Sequence, residues 1–274
     1  MGKSDAAVVG NGRVPWVPTA ERATVLAVAL TIAGFTWLYL IHLTGAMPAM
    51  GDLARHASHP AGAMAHWDIQ HALLVFIMWA AMMVAMMLPG AIPMLLLFLA
   101  VSRRQRGRPG HYLRVLLFAS GYILVWSGFS LVATLLEWRL ESTRLLAPMG
   151  AIPQAALGGL VLAAAGAYQW TPLKTRCLHA CQTPLTFVLT RWRPGPRGAW
   201  RMGLTHGAYC VGCCWALMGL LFVGGVMNLL WAALLSIFVL AEKLVPGRWT
   251  ARISGALLIG WGGWVLLAPV SMDA

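Results

Sequence analysis

The sequence predicts an all-α protein: a polytopic transmembrane helical bundle of about seven spans (six to seven), with its N-terminus in the cytoplasm. Three observations predict it. Of the 274 residues, 59% are apolar and only 10% are charged, against roughly a quarter charged in a soluble domain. Several apolar runs reach about 18 residues or more, long enough to cross a hydrocarbon core. With seven spans, 17 of the 20 Lys and Arg residues fall on one side, as the positive-inside rule requires. The net charge of +12 is then a topology signal carried by loops, and it implies no nucleic-acid partner.

Residues 1–22 form a polar, Pro-containing cytoplasmic tail, and a single transmembrane domain follows over 23–270. The first span, 23–44, is longer than a signal-peptide core. No small-x-small cleavage site follows it at once, so it reads as retained. Residues 45–70 form an extracytoplasmic loop with Met47, Met50, His56, His59, Met64 and His66. Methionine and histidine are copper ligands that work where thiols would oxidise. A polar loop enriched in His by chance accounts for the pattern equally well.

The second span runs from about His71 to Val101. Met78, Met82 and Met86 form one stripe along it, with Met83 and Met87 beside them. Such stripes serve as adaptable packing, or here as a thioether ladder for copper(I). Pro89 and Pro93 are expected to kink the helix. Arg103, Arg104, Arg106, Arg108 and Arg114 precede a third span at 112–138, and a fourth follows at 153–170. Thr171-Pro172 ends one helix and starts a short one within a cytoplasmic loop, 171–203. Residues 207–241 are apolar for about 50 Å of helix, too long for one span of a ~30 Å core. Gly224-Gly225-Val226-Met227-Asn228 is the expected break, giving span five at 204–224 and span six at 228–243. Both are short, and a re-entrant pair also fits. Span seven, 253–270, carries Gly255, Gly260, Gly262 and Gly263, which suit close helix contact. Glu242-Lys243 reads as a charged anchor at the membrane interface.

All five cysteines lie in two clusters. Cys177 and Cys181 are at i, i+4. His206, Cys210, Cys213 and Cys214 are at i, i+4, i+7 and i+8, on one helical face. Thiolates and imidazole select zinc, copper(I) or iron–sulfur over hard cations. A buried cysteine packs as a small hydrophobe, but that does not explain five cysteines and a histidine in two clusters. The two segments are therefore expected to meet and bind one soft metal ion. Cys177, Cys181, Cys210 and Cys213 rank first as ligands. Cys214 and His206 come next, because adjacent cysteines diverge by about 100° on a helix. Met78, Met82 and Met86 complete the candidate metal residues. His179 points away from the Cys177–Cys181 face.

These residues carry a family resemblance. The set Met78-Trp79, Met82-Met83, Met86-Met87-Leu88-Pro89, Trp170-Thr171-Pro172-Leu173-Lys174, Cys177, Cys181, His206-Gly207, Cys210, Gly212-Cys213-Cys214-Trp215, Gly225, Met227-Asn228, Trp231, Glu242-Lys243 and Pro246 resembles the bacterial "predicted metal-binding integral membrane proteins". Some members are described as membrane copper chaperones that help metallate copper oxidases. The resemblance runs from about Gln70 to Val270. It implies a location in the bacterial inner membrane, copper(I) as the metal, zinc as the alternative, and a copper-dependent oxidase or other copper protein as partner.

Three functions fit. The first is a non-enzymatic copper(I) carrier that delivers its ion to a copper enzyme. The second is a membrane thiol-disulfide oxidoreductase using Cys210-x-x-Cys213. The third is a structural-zinc subunit of a larger complex. No nucleotide-binding loop, no Ser–His–Asp arrangement and no paired carboxylates point to other chemistry.

Overall fold

The computed structural model describes residues 19–56, 68–104, 110–143, 145, 155–245, 247 and 249–267. Among them every regular element is a helix: α1 Thr19–His56, α2 Ile69–Arg104, α3 His111–Ser142, α4 Ala155–Gln169, α5 Pro172–Gln182, α6 Pro184–Arg191, α7 Gly195–Gly219, α8 Leu221–Gly224, α9 Leu229–Leu244 and α10 Trp249–Leu267. Five stretches are long and apolar enough to cross a membrane: Thr19–Gly45 of α1, α2 to Arg103, α3, α7 with α8 (Gly195–Gly224), and α10. The expected spans four and six correspond to α4 and α9, of 15 and 16 residues. At 1.5 Å per residue each is about 23 Å long, short of a ~30 Å core.

Several boundaries differ from expectation. α1 continues as helix to His56, through a segment read as loop, because Ala, Met, Leu and Arg there favour helix. His59, Met64 and His66 lie outside the described residues, as do residues 1–18. The expected loop 171–203 contains α5, α6 and the start of α7. Prolines produce this, as Pro172, Pro184 and Pro196 each sit in the first turn of a helix, where a missing N–H costs nothing. Hence α7 begins at Gly195, nine residues before the expected start at 204. The break after α8 does fall at Gly225, whose φ is +89°.

α2 lies at the centre of the bundle, with Trp79, Met82, Met83, Met87, Phe98 and Leu99 fully buried. It packs against α1, α3 and α9, α3 packs against α7, and α4 pairs with α10. The outward faces of α1, α3, α9 and α10 carry exposed Phe35, Leu116, Ile237 and Leu257, as a lipid-facing surface does. α2 runs through Pro89 and Pro93 as one helix. The hydroxyls of Tyr122 and Ser236 donate to the Met87 and Met86 carbonyls beside these prolines, at 3.2 and 3.3 Å. Neighbouring helices thus bond to the α2 backbone just before Pro89.

Glycine sets the closest approaches. A Cβ on Gly262 would stand 2.6 Å from the Gly159 carbonyl, and one on Gly166 would stand 2.7 Å from the Gly255 carbonyl. So Gly255 and Gly262 do form the expected contact face, against α4. Gly260 and Gly263 face open space instead, because they are turned away from the line through Gly255 and Gly262 that meets α4. Replacing Gly262 by Ala is expected to destabilise the bundle by about 1–3 kcal/mol, while Gly263→Ala should leave it unchanged. Thermal unfolding in detergent reads the difference.

Candidate metal centre

The centre is built where α5 lies against α7. α5 starts at a well-formed cap: Thr171 Oγ1 accepts from the Lys174 N–H at 3.2 Å, with Pro172 in the first turn. The helix can approach α7 closely because residue 212 is glycine. A Cβ there would be 2.7 Å from the Cys177 sulfur. The Tyr168 hydroxyl, from α4, donates to the Gly212 carbonyl and fixes the same contact.

One turn beyond Cys177, Cys181 reaches the α7 thiols. The sulfurs of Cys181, Cys210 and Cys213 all lie within 4.8 Å of one another, with Cys210 and Cys213 buried and Cys181 half-buried. All five cysteines are free thiols. Burial and the nearby Cys213 push the Cys177 thiol above its ordinary pKa, against a smaller opposing effect of Lys174. Hydrogen bonding to Cys210 and Cys213 holds the Cys181 thiol well above its ordinary value, and burial adds to this.

Cys210 is the hub. Lys243 Nζ, from α9, donates to its sulfur at 3.1 Å, and the Tyr122 hydroxyl touches it at 3.2 Å. Lys243 Nζ also lies 3.7 Å from the Met87 sulfur. Gly90 leaves room for the lysine, since a Cβ there would be 3.1 Å from Nζ. The Cys213 and Cys214 thiols both donate to the Cys210 carbonyl at 3.0 Å. Beside them, a second cation is neutralised. Lys174 Nζ meets Glu242 Oε2 at 2.6 Å, both side chains almost fully buried. Gln169 Nε2 donates to Glu242 Oε1 at 3.2 Å, and Gln182 Nε2 donates to the Glu242 carbonyl at 2.7 Å.

The comparisons bear on this geometry. Residues 76–265 match the copper chaperone family PpoB2. The chain belongs to that family. The match spans the helices from α2 to α10 and takes in all five cysteines. No curated protein and no solved structure matches.

Within this copper chaperone fold, the expected ligands separate. Cys181, Cys210 and Cys213 come together. Cys177 stays outside the group, its sulfur on the Gly212 backbone. Cys214 turns toward Met87, with the sulfurs 3.9 Å apart. His206 is packed among the rings of Phe118, Tyr122 and Phe187. Met78, Met82 and Met86 are buried in α2, yet the methionine sulfur beside the thiols is that of Met87, from the second stripe. Glu242 and Lys243 are no interfacial anchor, being 1% and 7% exposed, because each faces a partner across α5 or α7. In the sequence Lys243 reads as an anchor and Gly212 only as part of the family motif, and Tyr122 carries no reading. The one signal for Lys243 was a charge at the end of an otherwise apolar helix.

Two outcomes follow from these contacts. Lys174→Met leaves Glu242 buried without its cation and is expected to cost about 3–5 kcal/mol, whereas removing both charges should recover most of that. Chemical denaturation of the single and double variants measures it. A soft cation must displace the proton of Cys181, whose thiol is held above its usual range, so its affinity should rise with pH, by up to about tenfold per unit for each proton released. Competition titrations across neutral pH, with proton release followed in parallel, check the sign.

Proposed function

We propose that the protein is a membrane copper(I) carrier that holds its ion on Cys181, Cys210 and Cys213 and passes it to a copper enzyme. The observation that carries this reading is the three-sulfur group spanning two helices. Soft thiolates favour copper(I), which is satisfied by three of them. A structural zinc requires four ligands in a tetrahedron, and the nearest candidates, Cys214 and His206, are engaged with Met87 and an aromatic cage. Three thiolates and one copper(I) carry a net −2, which Lys243 at 3.1 Å reduces. The family's character as a chaperone family favours a carrier over an enzyme.

The exit route follows α2. Met87 touches Cys214, beside the three-thiol cluster. Met86, Met83, Met82 and Met78 continue the row toward Trp79, whose indole donates to the buried Glu137 carboxylate at 2.5 Å. Eight residues of helix cover about 12 Å, a distance the ion travels by exchange between thioethers. The cation-rich loops set the thiols near the cytoplasmic face of a bacterial inner membrane, so the row leads outward, to an extracytoplasmic acceptor such as a copper oxidase.

Elemental analysis of the detergent-purified protein tests the reading. The wild type should retain about one copper per chain, and a Cys210→Ser, Cys213→Ser double variant none. Replacing Met78, Met82 and Met86 together by Leu should leave the copper bound but slow its delivery to an apo-oxidase. Zinc in place of copper would point to a structural site. A metal-free protein with a Cys210–Cys213 disulfide would point to thiol redox chemistry.

A further inference from the structure

α5 has a second working face. Opposite Cys177 and Cys181 it borders a cavity of about 840 Å³ between α4, α5 and α10. Arg176, His179, Arg252 and Trp170 are exposed around it, while Gln169 and Lys174 form its buried side. Lys174 is neutralised by Glu242. Arg176 and Arg252 meet no carboxylate among the described residues. The cavity therefore presents two guanidinium groups from different helices that are uncompensated among the described residues. The Trp170 indole donates to the Arg252 carbonyl at 3.1 Å and fixes the backbone that carries the second of them.

Gln169 adds a second, independent sign of a ligand. It is 2% exposed. Its amide nitrogen reaches Glu242 Oε1 and Ser254 Oγ, each at 3.2 Å. Its Oε1 has no partner. Glu242 accepts from the nitrogen, so the amide cannot be turned round without setting two oxygens against each other. An acceptor buried without a donor is costly, and Gln169 lines this cavity, so a small turn of its amide toward the cavity would be met by an O–H or N–H there. The guanidinium pair asks for an anion, and guanidinium matches phosphate oxygens in particular.

We propose that this cavity binds a phosphate ester with a neighbouring hydrogen-bond donor, the phosphate on Arg176 and Arg252 and the donor on Gln169 Oε1. It does not depend on the metal reading. The cavity opens where α4 ends and α10 begins, with Trp170 and Trp249 exposed there, as aromatic side chains are at a membrane–water boundary. An anionic phospholipid headgroup such as phosphatidylglycerol has both groups. A soluble phosphate ester of a polyol has the same chemistry.

Delipidated full-length protein in an uncharged detergent is titrated with phosphatidylglycerol, phosphatidylcholine and glycerol 3-phosphate, by calorimetry and thermal shift. Saturable binding of phosphatidylglycerol but not phosphatidylcholine, weakened roughly tenfold or more in Arg176→Gln with Arg252→Gln, identifies a lipid site. Saturable binding of glycerol 3-phosphate with the same loss in the variant identifies a soluble ligand. Either result supports the proposal. No saturable binding of either phosphate compound, or binding that the double variant leaves unchanged, overturns it. Gel filtration and circular dichroism report whether the variant is folded. If it is not, Arg252→Gln alone, at an exposed position, takes its place in the comparison.

Discussion

The candidate metal centre depends on the flush contact of α5 with α7. The contact is possible because residue 212 has no side chain to hold the helices apart, so the Cys177 sulfur rests on backbone. Tyr168 closes it with a bond to the Gly212 carbonyl. From that contact the rest follows by helical geometry. Cys181 lies one turn beyond Cys177, and that turn carries its sulfur to Cys210 and Cys213. A residue with a Cβ at position 212 would push α5 outward and separate the thiols before any ligand was changed.

The second organising constraint is charge in an apolar interior. Ionisable side chains there face the protein and find partners. Glu242 and Lys243 are neighbours in α9, yet they serve opposite sides. Glu242 turns to Lys174 and Gln169, tying α9 to α5 and α4. Lys243 turns to Cys210 and Met87, supplying the cation nearest the thiols. One dipeptide thus links the packing of the bundle to the electrostatics of the site. Replacing one partner of such a pair leaves a bare charge in a poor solvent.

Much of this was legible in the sequence, and the reasons differ by element. Apolar length and the side on which Lys and Arg fall identified the membrane helices, because both are properties of single segments. The break at Gly225 was visible because glycine tolerates the left-handed backbone found there. The thiols were visible because two i, i+4 patterns used every cysteine. The selection among them was not. Whether Cys177 or Cys181 meets Cys210 depends on the rotation of α5 about its axis, and that is set by the start of the helix at Pro172 and by Gly212, far from either sulfur in the chain. Lys174 and Lys243 were counted with the solvated loop charges for the same reason. Their burial comes from contacts between α5, α7 and α9 that no local pattern encodes. The two methionine stripes were both in view, and only the meeting of Cys214 with α2 selects Met87 as the one beside the thiols.

That Lys243 stands at the centre also bears on how the protein is made. Cys177 and Cys181 leave the ribosome well before Cys210 and Cys213, and Lys243 follows about thirty residues later. A nascent chain therefore displays a pair of thiols, then a full set, before the cation that balances them has been synthesised. Lys243 reaches Cys210 only when α9 packs against α5 and α7 with its charged end inward. Until then the α7 thiols lack that cation. The order of the sequence makes the docking of α9 the last step in completing the site.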